Sequence, residues 1–267
     1  MTTRDKPWKT GTPCWVDLIV SDVDKAVTFY SELFGWDCQE GPPEAAGYRM
    51  CMLDGRPAAG IGPGPQDREM PSVWSTYLAT DDADATARAV MENGGSLMLE
   101  PFDVLDVGRM AVGFDPSGSA FGLWEAKSHL GSSVVNQAGA LTWNECMTRD
   151  YAGAKSFYSK VFGHTFDELG DDSFHYATIS VEGRVVGGIG ELSAEMPPEL
   201  PSHWMTYFAS DDVNATVKRA TSAGALLRTG PMDTPYGRMA VLEGPQGEVF
   251  SVIKGSADRL PDADSTP

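Results

Sequence analysis

GTPCWVDLIVSDVDKAVTFYSELFGW, residues 11–36, opens with period-two alternation and closes as a capped amphipathic helix. Trp15, Asp17 and Ile19 share one face and Val16, Leu18 and Val20 the other, so a strand over 14–20 with both faces covered is predicted. Ser21 or Asp22 can cap the helix that follows. Within it Ala26, Phe29, Tyr30 and Leu33 recur at i, i+3, i+4 and i+7, and Gly35 ends it. The stretch returns as GALTWNECMTRDYAGAKSFYSKVFGH, residues 139–164, at a constant offset of 128, which relates Trp15 to Trp143, Tyr30 to Tyr158 and Gly35 to Gly163. The chain is a duplication.

Outside this pair the parallel continues. Tyr48 to Gly62 reads as two strands about an Asp54-Gly55 turn and is answered by Tyr176 to Gly190. PSVWSTYLATDD, from residue 71, is answered by PSHWMTYFASDD from residue 201, and GRMAV at 108 by GRMAV at 237. A second helix is expected from Asp81 to Asn93-Gly94-Gly95, and a turn at Asp115-Pro116-Ser117-Gly118. Modules over 11–126 and 139–255 follow, with a polar linker over 127–138, a loose arm before residue 11 and a disordered tail over 256–267.

The 267 residues are comfortable for two domains. Acidic residues number 38 against 20 basic, a formal charge of −18 that disfavours phosphate backbones and anionic membranes. Nucleic acid and membrane are therefore excluded as partners, and a small molecule is expected, with the chain a monomer or homodimer. Cys14, Cys38, Cys51 and Cys146 show no C-x-x-C spacing, so buried free thiols are expected. Neither a leader-like apolar run nor a membrane-length one occurs, which suggests a cytoplasmic location.

In both modules a D-x-x-x-A-x-x-FY-x-x-x-FG helix follows an alternating strand, and a P-x-G turn precedes the final one. This pattern resembles the vicinal oxygen chelate superfamily of glyoxalases, bleomycin-resistance proteins and extradiol dioxygenases. GTPCWVDL, WNE, GRMAV and GLWEA look most like two-domain actinobacterial glyoxalase-like proteins, some of them labelled hydroxylases. The resemblance implies an α+β fold of tandem glyoxalase-like modules, each built of paired βαβββ units whose mixed sheets curl into an eight-stranded cup. A ligand is then expected in a cup between the modules. It also implies metal-ligand columns on first and last strands, which fall here at Trp15, Trp143, Glu125 and Lys254. Only Glu125 can ligate a metal, so no cofactor is expected. The alternative is a divalent metal held off-register by Glu125, Glu145, Asp17 and His203.

Both first strands carry Trp-x-acid on one face, Trp15 with Asp17 and Trp143 with Glu145. With Glu125 and Lys254 this set admits a closed polar core, a π-rich clamp for a flat ligand, or a catalytic site. In the last, Glu145 or Asp17 removes a proton beside a carbonyl while Lys254 stabilises the enolate. Trp74 and Trp204 are candidates for the mouth, and Arg109 and Arg238 for an anionic substrate group. His203 stands where the first module has Val73, whereas His129, His164 and His175 read as surface residues. The expected function is a metal-independent protein binding a small hydrophobic, aromatic or carbonyl-bearing molecule, for sequestration or natural-product modification. Lyase, isomerase or oxygenase-like activity stays open. The alternative is a metal-dependent lyase or dioxygenase.

Overall fold

The computed structural model describes residues 2–65, 70–170 and 174–255. The tail expected over 256–267 lies outside them. In the first module the strands are β1 (Pro13–Val20), β2 (Asp37–Glu40), β3 (Arg49–Leu53), β4 (Arg56–Pro63), β5 (Val73–Ala79), β6 (Ser96–Val104), β7 (Gly108–Phe114) and β8 (Ala120–Ala126). Helix α1 (Val23–Phe34) follows β1, and α2 (Ala83–Glu92) follows β5. The second module repeats the order with β9 (Leu141–Thr148), α3 (Tyr151–Phe162), β10 (Thr165–Glu168), β11 (Tyr176–Val181), β12 (Arg184–Glu191), β13 (His203–Ala209), α4 (Val213–Ser222), β14 (Leu226–Thr234), β15 (Gly237–Glu243) and β16 (Val249–Gly255).

Caps set the helix ends as the sequence implies. Asp22 accepts from the backbone N–H of Lys25 and Gly35 closes α1 at φ 75°; Asp150 and Gly163 do the same for α3. The Asp54-Gly55 turn has both residues at positive φ, 52° and 73°, as a two-residue hairpin turn requires.

The first sheet runs β2-β3-β4-β1-β5-β8-β7-β6 and the second β10-β11-β12-β9-β13-β16-β15-β14. Each sheet is mixed: β1 pairs parallel with β4 and antiparallel with β5, which joins the two βαβββ halves. Apart from two short edge strands, every pairing stays within a module. Trp15 and Trp143 therefore lie in different sheets. The single cup expected between the modules is replaced by two cups, one per module.

Where the modules meet, their helix-bearing faces pack together. One core joins α1 and α4 to the β1–β4 half of the first sheet and the β13–β16 half of the second, through Phe29, Tyr30, Phe34, Phe208 and Phe250. The other joins α3 and α2 to the remaining halves through Phe121, Phe157, Tyr158 and Phe162. Phe34 and Phe208 stand 4.8 Å apart between ring centroids. Two matched hydrogen bonds cross the seam, Trp36 Nε1 to the carbonyl of Gly139 and His164 Nε2 to that of Gly11, each 2.8 Å. His164 is thus buried rather than at the surface.

Two more expectations change. The arm and linker are stitched together, because Thr2–Thr3 pairs with Val134–Val135, which also meets Leu141. Cys38 and Cys51 stand opposite each other on β2 and β3 and form a disulfide, whereas Cys14 and Cys146 stay free and buried. No described helix is long and apolar enough to cross a membrane.

Candidate functional site: two unequal cups

Strand periodicity and close glycine contacts identify what the helix-free faces hold. In the first cup the Tyr48 ring lies over Gly60, Tyr77 over Gly122 and Trp124 over Gly108, each where a Cβ would collide with the ring. Trp15 Nε1 donates to the Tyr48 hydroxyl at 3.0 Å, and Tyr77 donates to Asp17 Oδ2 at 3.0 Å. In the second cup Trp143 Nε1 donates to the Tyr176 hydroxyl at 3.2 Å. Tyr176 donates to Glu145 Oε2 at 2.9 Å, and Tyr207 to Oε1 at 2.5 Å. Each cup therefore has an acid held by a tyrosine from β5 or β13, beside a second, just before β3 or at the start of β11, that a Trp N–H engages. Tyr48 and Tyr176 escape a reading centred on the first strands, although they recur at the same offset of 128 as the Trp-x-acid pairs.

Both acids are perturbed by burial. Asp17 is pushed up to about 7 by desolvation, opposed by the hydrogen bond from Tyr77 and, less, by the nearby Ser75 and Tyr48 hydroxyls. Glu145 is raised in the same direction by desolvation, with Tyr207, Tyr176, the charge of His203 and Trp143 pulling back. Both tyrosines of the second cup are themselves raised, chiefly by burial and then by the Glu145 charge.

The cups differ in how full they are. Cys14, Trp15, Tyr77, Ala79 and Trp124 form a buried cluster in the first, with Trp8, Met50, Val107 and Met110 packed on it. His129 from the linker closes over it, edge-on to Trp15 at 4.4 Å and to Trp124 at 5.4 Å, and is not the surface residue expected. The linker is pinned there: Trp124 Nε1 donates to the His129 carbonyl at 2.9 Å, and Ser132 N to the Cys14 carbonyl at 2.7 Å. In the second cup Ser251 stands at the place of Gly122 and Ile253 at that of Trp124. Trp143, Glu145, Met147, His203, Met205 and Met239 remain only partly buried. Tyr236, from the β14–β15 turn, comes within 6.2 Å of the Tyr176 ring, so opposite halves of the sheet approach across the opening. Phe174 stacks on the outer side of Tyr176 at 5.9 Å, over half exposed at 54%. This cup is open and lined by rings and thioethers.

Several candidates lie elsewhere. Glu125 shares the helix-side face with Phe121 and Leu123, and its Oε2 accepts from the backbone N–H of Ala83 at the start of α2, 2.9 Å away. Lys254 is exposed on the opposite face from Ser251 and Ile253, beside Arg238 in the ladder. Trp74 and Trp204 are buried on the helix side, donating to Tyr30 at 3.0 Å and Tyr158 at 2.8 Å. Arg109 forks onto Asp84, and Arg238 bonds Asn214 and Asp233. None of these six faces a cup. Arg238→Ala is accordingly expected to leave ligand affinity in the second cup within about two-fold, measured by titration, since it removes only an exposed ion pair and exposed hydrogen bonds to Asn214. His203 does face the second cup, at its rim. Its Nδ1–H donates to the Pro201 carbonyl at 2.8 Å, which turns Nε2 into an acceptor.

The glyoxalase/bleomycin resistance protein/dioxygenase superfamily model matches residues 14–123 and 141–252. The chain belongs to this superfamily. Among curated relatives of this glyoxalase-superfamily chain, CFP32 of Mycobacterium tuberculosis, provisionally named a glyoxylase, is 41% identical over 254 residues, 92% of this chain and 96% of the relative. The anthracycline biosynthesis protein DauV of Streptomyces sp. strain C5 is 35% identical over 258 residues, covering 91% and 93%. Solved structures share the fold: a 2,2',3-trihydroxybiphenyl 1,2-dioxygenase from Sphingomonas wittichii (TM-score 0.64, 16% identity, covering 96% of this chain and 93% of that one). The Mn(II)-bound glyoxalase from Novosphingobium aromaticivorans has TM-score 0.65 at 15% identity, covering 94% and 86%.

A metal of the kind that glyoxalase carries needs several ligating side chains converging on one point. Among the described residues no three His, Cys, Asp or Glu side chains do so. The second cup offers Glu145 and His203, and both Glu145 oxygens already accept from phenols. Its donor set does not fit a resident metal.

Proposed function

We propose that the second cup binds a flat, aromatic, carbonyl-bearing molecule without a metal, and that Glu145 orients it or acts on it as a general base. The observation carrying this reading is the Glu145 carboxyl gripped by Tyr176 and Tyr207 at the floor of an open cup walled by Trp143, Met147, Met205 and Met239. An indole face and adaptable thioethers suit a planar apolar body, and polar groups at the floor fix its orientation. The relative named for anthracycline biosynthesis supports a polyketide-type aromatic as the ligand class.

The chemistry such a floor allows is proton transfer beside a carbonyl. Ionised Glu145 takes the proton from the carbon, and burial makes it a stronger base than a carboxylate in water. The Tyr176 and Tyr207 hydroxyls then turn from the neutralised carboxyl to the enolate oxygen, the role first given to Lys254.

Titration with an anthracycline aglycone, followed by tryptophan quenching, tests the reading. Saturable binding that Trp143→Ala weakens about ten-fold or more and Trp15→Ala leaves within about two-fold supports it. Conversion of the bound aglycone that Glu145→Gln abolishes assigns catalysis; binding with the aglycone recovered unchanged assigns sequestration. No binding, or equal loss in both tryptophan variants, refutes the reading. The competing reading, a metal-dependent lyase or dioxygenase, requires stoichiometric Mn, Fe, Ni or Zn in protein purified without chelator, read by elemental analysis.

A further inference from the structure

The first cup holds a carboxylate with no counter-ion. Asp17 is 6% exposed, and while Oδ2 accepts from Tyr77, Oδ1 is buried without a hydrogen-bond partner. His129 Nε2, above the rings of Trp15 and Trp124, is likewise buried and unpartnered. The side chains around Asp17 are neutral: Tyr77, Ser75 and Tyr48 act on its carboxyl, and Trp15 holds the Tyr48 hydroxyl. An ionised carboxylate among such groups is costly unless a cation meets it. The matched position in the second cup has no such gap, because the longer Glu145 reaches two phenols and fills both oxygens.

We propose that the first cup is a second binding site, for a small primary ammonium ion on an apolar stem, with Asp17 Oδ1 accepting its N–H and the neighbouring rings of Trp15, Tyr48 and Tyr77 beside its stem. Ammonium ions are attracted to the faces of Trp and Tyr, more strongly where water is excluded, and a charged acceptor doubles the strength of an ordinary hydrogen bond. A hollow of about 170 Å³ borders the cluster, sharing Trp8, Cys14 and Trp124 with it. Asp81 and Glu125 stand in its wall, and no Lys or Arg lines it among the described residues. On a chain with a formal charge of −18 such a wall gathers cations and repels anions.

The site is independent of the function proposed for the second cup, and variants in each cup separate the two. The experiment follows the indole N–H resonances of the full-length protein during addition of n-butylammonium chloride at about pH 8.5, where Asp17 is ionised and an alkylamine still protonated. The expected result is a saturable shift of the Trp15 indole, weakened about ten-fold or more by Asp17→Asn and changed less than about two-fold by Glu145→Gln. The neutral analogue 1-butanol is expected to bind about ten-fold or more weaker. Absence of a saturable shift would mean that Oδ1 meets only water and overturns the proposal. Equal binding of 1-butanol, retained affinity in Asp17→Asn, or loss in Glu145→Gln overturns it too. Asp17→Asn removes a buried charge and keeps the shape of the side chain, so it is expected to fold, which its spectrum in the same experiment verifies.

Discussion

Asp17→Asn is expected to be more stable than the parent chain at pH 8, by about 4 kcal/mol, and to match it near pH 4. The carboxyl is pushed from 3.8 to about 7 in the fold by burial against the rings of the first cup. A rise of about three units corresponds to about 4 kcal/mol of linked free energy. The sign follows from proton occupancy. Between about pH 4 and 7 the folded chain keeps a proton that the unfolded chain has released, so folding becomes progressively less favourable as pH rises through that window. Below it both states are protonated and the group contributes nothing. Asparagine has no proton to lose, and its amide can still meet the Tyr77 hydroxyl. Urea denaturation of both proteins at pH 4 and pH 8 measures the difference; parallel stability profiles would show that Asp17 does not titrate in the window.

Phe208→Ala is expected to cost about 3–5 kcal/mol and to lower the melting temperature of the whole chain by about 10 °C in one transition. Phe208 is fully buried on β13, with its ring 4.8 Å from Phe34, 5.1 Å from Trp74, 5.5 Å from Trp36 and 6.1 Å from Phe250. Three of those neighbours belong to the first module. Truncation opens a cavity among rigid rings that cannot collapse into it, and the loss is felt on both sides of the seam. Calorimetry distinguishes the outcomes: two separated transitions, or a loss under about 1 kcal/mol, would show that the seam is not shared.

Most of the fold was legible because the signals are local and occur twice. Asp22 and Asp150 as caps, Gly35 and Gly163 as stops, and Asp54-Gly55 as a turn each fix a boundary without knowledge of the rest of the chain. Trp15, Asp17, Trp143 and Glu145 were found for the same reason, since residues two apart on a strand share a face. On the last strands that rule cuts the other way. A reading displaced by one residue selects Glu125 and Lys254, which look toward the helices, in place of Trp124 and Ile253, which line the cups. Which module's strands pair with which is a long-range choice that no window of sequence carries, and it decides that the two Trp-x-acid strands serve separate cups. The Cys38–Cys51 bridge was invisible for a similar cause: thirteen residues apart in sequence, they meet only through the register of β2 and β3.

The exchange of helical cover between the modules has an evolutionary corollary. Because α1 rests on the far half of the second sheet and α3 on that of the first, the chain has the organisation of a symmetric dimer whose subunits have been joined end to end. In a dimer of identical chains every mutation is made in both copies, so a pocket cannot be filled in one and kept clear in the other. Fusion lifts that constraint. Differences such as Gly122 against Ser251 and Trp124 against Ile253 can then persist between the copies, and a linker can close over the rings of one alone. Covalent linkage thus leaves the two cups of one duplicated scaffold free to differ.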